Sequence, residues 1–151
     1  MKYFAYSQQA FIYKYIVMLS DTDQFQHMSF ANYLRLMFLA TDAMFLACSD
    51  SKFLSHYRFQ LLDSRMQFKK QSNIGDSILI KVNAAKSEED SFSLLYTFVL
   101  ERSGDLVALA KQVYSVIDMP KRARIIPMSL GMVKGILDPI TVDEKYLIYK
   151  Y

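Results

Sequence analysis

One stretch constrains this chain more than any other. From Phe30 to Ala47 the residues Tyr33, Leu34, Met37, Phe38, Met44 and Phe45 recur at helical spacing, and a second stripe of Leu36, Leu39, Ala40, Ala43 and Leu46 is also apolar. Arg35, Thr41 and Asp42 are the main polar interruptions, and Ser29 stands where an amino-terminal cap belongs. A helix of this length is about 27 Å long at about 1.5 Å per residue. A helix that is apolar nearly all round is expected to be buried nearly all round, so the rest of the chain has to wrap it.

Strand-like segments are available for that purpose. Phe11 to Leu19 places Phe11, Tyr13, Tyr15, Val17 and Leu19 on one face. After the helix come Phe59 to Lys70, Ser77 to Ala85, Phe92 to Glu101 and Leu106 to Ile117, with turn chemistry at Asn73-Ile74-Gly75-Asp76, Lys86 to Asp90 and Arg102-Ser103-Gly104-Asp105. Four consecutive strands joined by short turns favour an antiparallel sheet, since parallel neighbours need crossover helices. The expected class is α+β, with one antiparallel sheet curled around one long helix in a single domain spanning 1–151. Residues 121–151 read as a basic and aromatic extension: Lys121, Arg122 and Arg124 open it, a short helix is expected from Met128 to Leu137, and Tyr146 to Tyr151 is aromatic.

Composition removes several functions. With four glycines in 151 residues, neither the P-loop nor the dinucleotide-binding spacing occurs. Cys48 is the only cysteine and sits among apolar neighbours, which excludes an intrachain disulfide and suits core packing in a reducing cytoplasm. His27 and His56 lack partners at metal-ligand spacing, so no metal or cofactor is expected. A net charge of +3 does not suggest nucleic acid. No membrane span is expected, because Arg35 and Asp42 break the most hydrophobic run, and no cleavable leader pattern opens the chain.

The segment Asp21-Thr22-Asp23-Gln24-Phe25-Gln26-His27-Met28-Ser29-Phe30-Ala31-Asn32-Tyr33-Leu34 resembles the signature of the 4-hydroxybenzoyl-CoA thioesterase-like hotdog family: an Asp-Thr-Asp turn, a Gly-His-Val-type step, then Asn-Tyr near the start of the central helix. Gly75-Asp76 and Gly104 to Ala108 fit the same pattern, and the likeness covers Phe11 to Pro127. It implies a hotdog fold and hydrolysis of an acyl thioester. Asp23 aligns with the family's catalytic carboxylate, and Phe30 with the residue whose backbone N–H helps form the oxyanion hole. His27, Asn32 and Tyr33 fall on motif positions expected to shape the substrate site. Gln26 stands where relatives usually carry glycine, and Phe38 where many carry a glutamate. Asn32 to Arg35 and Met44 to Leu46 also look like the enediyne-type polyketide thioesterases, whose acid is typically asparagine. The resemblance further implies a homodimer or homotetramer.

The residues support that chemistry on physical grounds. Thioester hydrolysis builds negative charge on the carbonyl oxygen, and a helix amino terminus offers unpaired N–H groups and a favourable dipole. Asp23 lies a few residues upstream and acts either as nucleophile, forming a mixed anhydride, or as general base for water. Lys121, Arg122 and Arg124 are candidates for the phosphates of coenzyme A or for an acidic acyl-carrier protein. The expected function is thus hydrolysis of an apolar or aromatic acyl-CoA thioester. The alternatives are an acyl-carrier-protein thioesterase of a polyketide or fatty-acid pathway and a non-catalytic acyl-binding hotdog module.

Overall fold

A computed structural model describes residues 4–7, 10–85 and 88–143. The elements run β1 (Phe4–Ser7), β2 (Ala10–Ile16), α1 (Phe30–Cys48), α2 (Ser51–His56), β3 (Tyr57–Phe68), β4 (Ser77–Ala85), β5 (Phe92–Leu100), β6 (Leu106–Asp118), β7 (Ala123–Ile125) and α3 (Gly131–Leu137). The strands form one seven-stranded antiparallel sheet in the order β1-β2-β4-β5-β6-β3, with β7 pairing the end of β6. Its curl around α1 is the expected α+β architecture.

Alternation along each strand explains the core. Ile78, Ile80, Val82 and Ala84 of β4 and Phe92, Leu94, Tyr96, Phe98 and Leu100 of β5 are all at most 1% exposed, and they meet Leu36, Met37, Ala40, Met44 and Phe45 of α1. Each of the larger side chains among them contributes about 1.5–3 kcal/mol through burial. The turns Asn73 to Asp76 and Arg102 to Asp105 place Gly75 and Gly104 at φ +83° and +73°, a region that favours residues without a Cβ.

Four expectations are corrected. The β3–β4 connection is not a hairpin: β3 crosses to the far side of the sheet and pairs β6, becoming an edge strand, while β4 pairs β2 and β5. Two apolar-faced strands flanking a polar turn do not reveal which edge each will take. The first strand ends at Ile16 rather than Leu19, which lies in a 3-10 turn (Leu19–Asp21) and is exposed. β1, α2 and β7 add elements absent from the sequence reading, and β7 makes part of the basic segment strand, with Arg124 opposite Ile117.

The fourth correction concerns α1 itself. Its buried stripe is Tyr33, Leu36, Met37, Ala40, Thr41, Met44 and Phe45, but the i, i+4 ridge of Phe30, Leu34, Phe38, Asp42 and Leu46 is exposed. The sheet curls around one side of the helix only, so an all-round apolar helix keeps one face open within the protomer.

The segment after β6 packs back on the molecule. Val133, Ile136, Leu137 and Ile140 join the same core, Asn83 Nδ2 donates to the Ile140 carbonyl, and Val142 N donates to the Ala84 carbonyl. The expected helix from Met128 begins only at Gly131, after a 3-10 turn at Pro127–Ser129. The aromatic run from Tyr146 to Tyr151 lies outside the described residues.

Candidate active site at the amino end of the central helix

Thr22 to Phe30 folds as a tight excursion between β2 and α1. Thr22 and Met28 form an antiparallel bridge, Asp23 N donates to the His27 carbonyl at 2.9 Å, and Gln26 N donates to the Asp23 carbonyl at 3.0 Å. The Asp23 side chain is exposed, and its Oδ1 accepts the backbone N–H groups of Phe25 (2.8 Å) and His27 (3.3 Å). Gln26 adopts φ +63°, so a left-handed backbone that favours glycine is held here by a larger residue.

The turn is tied to the β3–β4 connection. Met28 N donates to the Ser72 carbonyl at 2.9 Å, Ile74 N to the Gln26 carbonyl at 3.3 Å, and His27 bridges Asn73. Half-buried His27 shapes the backbone and lies beside the Phe25 ring at 6.3 Å between centroids.

Asp21, two residues before the candidate acid, is the buried anchor. At 3% exposure its carboxylate accepts the Tyr15 hydroxyl, the Met18 N–H and the Arg35 guanidinium, each at 2.8 Å. Its carbonyl accepts Ser29 N at 2.9 Å and Asn32 Nδ2 at 2.8 Å. One residue therefore joins β2, the 3-10 turn and the first two turns of α1. Burial pushes the Tyr15 hydroxyl upward, and the hydrogen bond to Tyr15 raises Arg35. Arg35, read from sequence as a polar interruption, is the cation of this cluster.

Ser29 occupies the N-cap position, but its hydroxyl makes no capping bond to the helix backbone. It accepts Asn32 Nδ2 at 2.8 Å instead. Phe30 opens the helix with 70% of its surface exposed, and no acidic residue stands in the first turn. The dipole end is left without a compensating carboxylate from the helix itself.

Beside Phe30 lies a cavity of about 340 Å³ lined by Met28, Phe30, Tyr33, Phe68, Lys69, Lys70 and Gln71. Phe68 forms its wall, with ring centroids 5.0 Å from Phe30 and 5.1 Å from Tyr33. The Tyr33 hydroxyl bonds Ser72 Oγ at 2.6 Å, and burial raises the phenol above its ordinary value. Lys69, Lys70 and Ser72 were not singled out from the sequence; adjacent lysines at the end of an apolar strand are the signal that was available.

The structure brings Phe30 and Tyr33 together at this cavity, sets Asp23 and His27 in the adjoining turn, and ties Asn32 of the first turn of α1 to Asp21 and Ser29. Lys121, Arg122 and Arg124 are elsewhere. They follow Asp118, whose Oδ1 accepts Lys121 N at 3.1 Å, and Arg122 adopts φ +50°. Lys69 and Lys70 bond to Val107 while β7 pairs residues 116–118, so the two basic groups lie about 30 Å apart at about 3.3 Å per residue of β6. Phe38, exposed on the open ridge, offers no carboxylate, but Asp42 follows it by one turn. Partial desolvation raises the Asp42 carboxyl. It lies about 18 Å along α1 from the helix start. Among the described residues no cluster of His, Cys, Asp and Glu could hold a metal, and no helix is long and apolar enough to cross a membrane.

Comparison with known proteins agrees with this geometry. The profile of the thioesterase-like superfamily matches residues 17–138. No curated protein matches the chain at the sequence level. A 1,4-dihydroxy-2-naphthoyl-CoA thioesterase from Synechocystis superposes with a TM-score of 0.73 at 20% identity, covering 85% of this chain and 98% of the other. A Staphylococcus aureus protein solved in complex with CoA gives 0.77 at 19% identity, covering 97% of each chain. The dynemicin thioesterase gives 0.79 at 12% identity, covering 89% and 99% respectively. At these identities the structural likeness establishes the hotdog fold.

Proposed function

The chain belongs to the thioesterase-like superfamily and is an enzyme of the thioesterase class, and on that premise we propose that it hydrolyses an apolar or aromatic acyl-CoA at the amino end of α1. The observation that carries the reading is the turn between Asp23 and Phe30, where two backbone amides orient one carboxylate oxygen a few residues before the helix start.

In this reading the thioester carbonyl oxygen sits at the Phe30 N–H, where the helix dipole stabilises the charge that develops on it. The Asp23 carboxylate either attacks the carbonyl carbon, giving a mixed anhydride that water then opens, or takes a proton from the attacking water. Both routes expel the thiolate of the carrier. Oδ2 makes no hydrogen bond among the described residues, which suits either role. Met28, Tyr33 and Phe68 offer apolar surface for the substrate, while Asn32 and His27 hold the turn. The Staphylococcus aureus structure with bound CoA supports coenzyme A as the carrier.

A homodimer or homotetramer fits the same picture. β3 is a 12-residue edge strand with no partner on its outer side among the described residues, which leaves that side for a second copy. Covering Asp23 with a second protomer would remove bulk water from an acid that is exposed in the isolated chain.

A panel of short, long and aromatic acyl-CoA substrates, followed by free-thiol release, tests the proposal. Asp23→Asn should lower kcat by about 10²–10⁴-fold with folding retained. Undetectable turnover across the panel, together with tight acyl-CoA binding, would leave an acyl-binding module instead.

A further inference from the structure

Lys69 and Lys70 are consecutive, yet both line the cavity beside Phe30. Neighbouring strand residues ordinarily point to opposite faces. Here the strand has just ended at Phe68, and the N–H groups of Lys69 and Lys70 both donate to the Val107 carbonyl, at 2.8 and 3.1 Å. Two donors on one acceptor mark a bulge, and a bulge turns successive side chains toward the same side.

Among the described residues no acidic side chain lines the cavity, and α1 places none in its first turn. Lys70 Nζ is neutralised by Asp105 at 2.5 Å, whereas Lys69 makes no ion pair among the described residues. Apart from Gln71, the rest of the lining is aromatic or aliphatic: Met28, Phe30, Tyr33 and Phe68. A ligand matched to this cleft has an uncharged stem and a phosphate at one end.

We propose that the bulge at Lys69 and Lys70 is the phosphate handle of the carrier site, with Lys69 supplying the free cation and the pantetheine arm lying against Phe30 and Phe68. This deepens the hydrolase reading and rests on it for the identity of the carrier. It also moves the carrier contact away from Lys121, Arg122 and Arg124, which within one protomer lie about 30 Å along β6 from the cavity.

The test compares benzoyl-CoA, benzoyl-4′-phosphopantetheine and benzoyl-pantetheine, identical at the thioester but differing in phosphate content. Lys69→Ala should raise KM about tenfold for a phosphorylated substrate, leave kcat within about twofold, and leave benzoyl-pantetheine unaffected. Lys69→Arg should retain most of the affinity. A loss confined to benzoyl-CoA assigns the handle to its nucleotide phosphates; an equal loss with benzoyl-4′-phosphopantetheine assigns it to the phosphate shared with a carrier protein. Equal losses on all three substrates, or none on either phosphorylated one, overturn the proposal. Should none be turned over, calorimetric binding of CoA decides independently. About tenfold weaker binding by Lys69→Ala supports the handle although the hydrolase reading falls, and unchanged or absent binding refutes it.

Discussion

The Asp21 carboxylate and the Arg35 guanidinium meet at 2.8 Å, with the aspartate almost fully buried and the arginine nearly half exposed. The pair locks the end of β2 to the second turn of α1. It sets the position from which both Asp23 and the Phe30 N–H are presented. Because the Tyr15 hydroxyl and the Met18 N–H share the same carboxylate, its loss strands several groups at once.

Asp21→Ala is therefore expected to cost about 2–3 kcal/mol of stability, and Arg35→Ala about 1 kcal/mol, since Asp21 keeps its other two donors in the second case. Urea denaturation with fitted midpoints measures both. Equal costs would mean that the ion pair, rather than the shared carboxylate, holds the turn.

Gln26 pays for a left-handed backbone that glycine adopts without a steric penalty. Gln26→Gly should stabilise the protein by about 0.5–1 kcal/mol, the relief being partly offset by the greater freedom of glycine in the unfolded chain. Gln26→Val should destabilise it by at least 1 kcal/mol on the order-of-magnitude scale for strained residues. Thermal melts of the two variants check the opposite signs.

Gln112 of β6 is fully buried. Its Oε1 accepts the hydroxyls of Tyr96 at 3.0 Å and of Tyr114, and Tyr96 in turn bonds Thr41 at 2.6 Å. Gln112→Leu leaves the tyrosine hydroxyls without that acceptor in the core and should cost about 2–3 kcal/mol. Gln112→Glu tests the same site with a buried charge and should be worse at neutral pH than at pH 4, as differential scanning calorimetry would show.

The raised carboxyl of Asp42 predicts a pH effect of definite sign. A group whose folded pKa lies above its unfolded value, about 3.9 for aspartate, contributes stability below that value and loses it as pH rises through the folded pKa. Asp42→Asn should therefore raise Tm at pH 7 relative to wild type, with the difference fading as pH falls below about 4. An unchanged Tm difference between pH 7 and pH 3 would count against desolvation as the cause.

Much of the molecule was readable before any coordinates. Apolar spacing located α1 to within a residue of its end, alternation found β4, β5 and β6, and the Asp-Thr-Asp turn pointed to the helix start. The placement of β3 was not readable, because its alternation suits either edge and the pairing with β6 depends on contacts distant in sequence. The open ridge of α1 was hidden for a related reason: composition reports how apolar a helix is, but not how far the sheet reaches around it.

The sequence by itself determined the central helix and the long strands β4, β5 and β6, since helical and strand periodicities are local properties of side-chain order, and it placed a carboxylate a few residues before a helix amino end. Only the tertiary structure decided that Asp21, rather than Asp23, is the buried acid, and that Lys69 and Lys70 share one cavity while Lys121, Arg122 and Arg124 stand far from it. Burial and convergence arise from strand order and from one bulge, and neither is written in the spacing of residues along the chain.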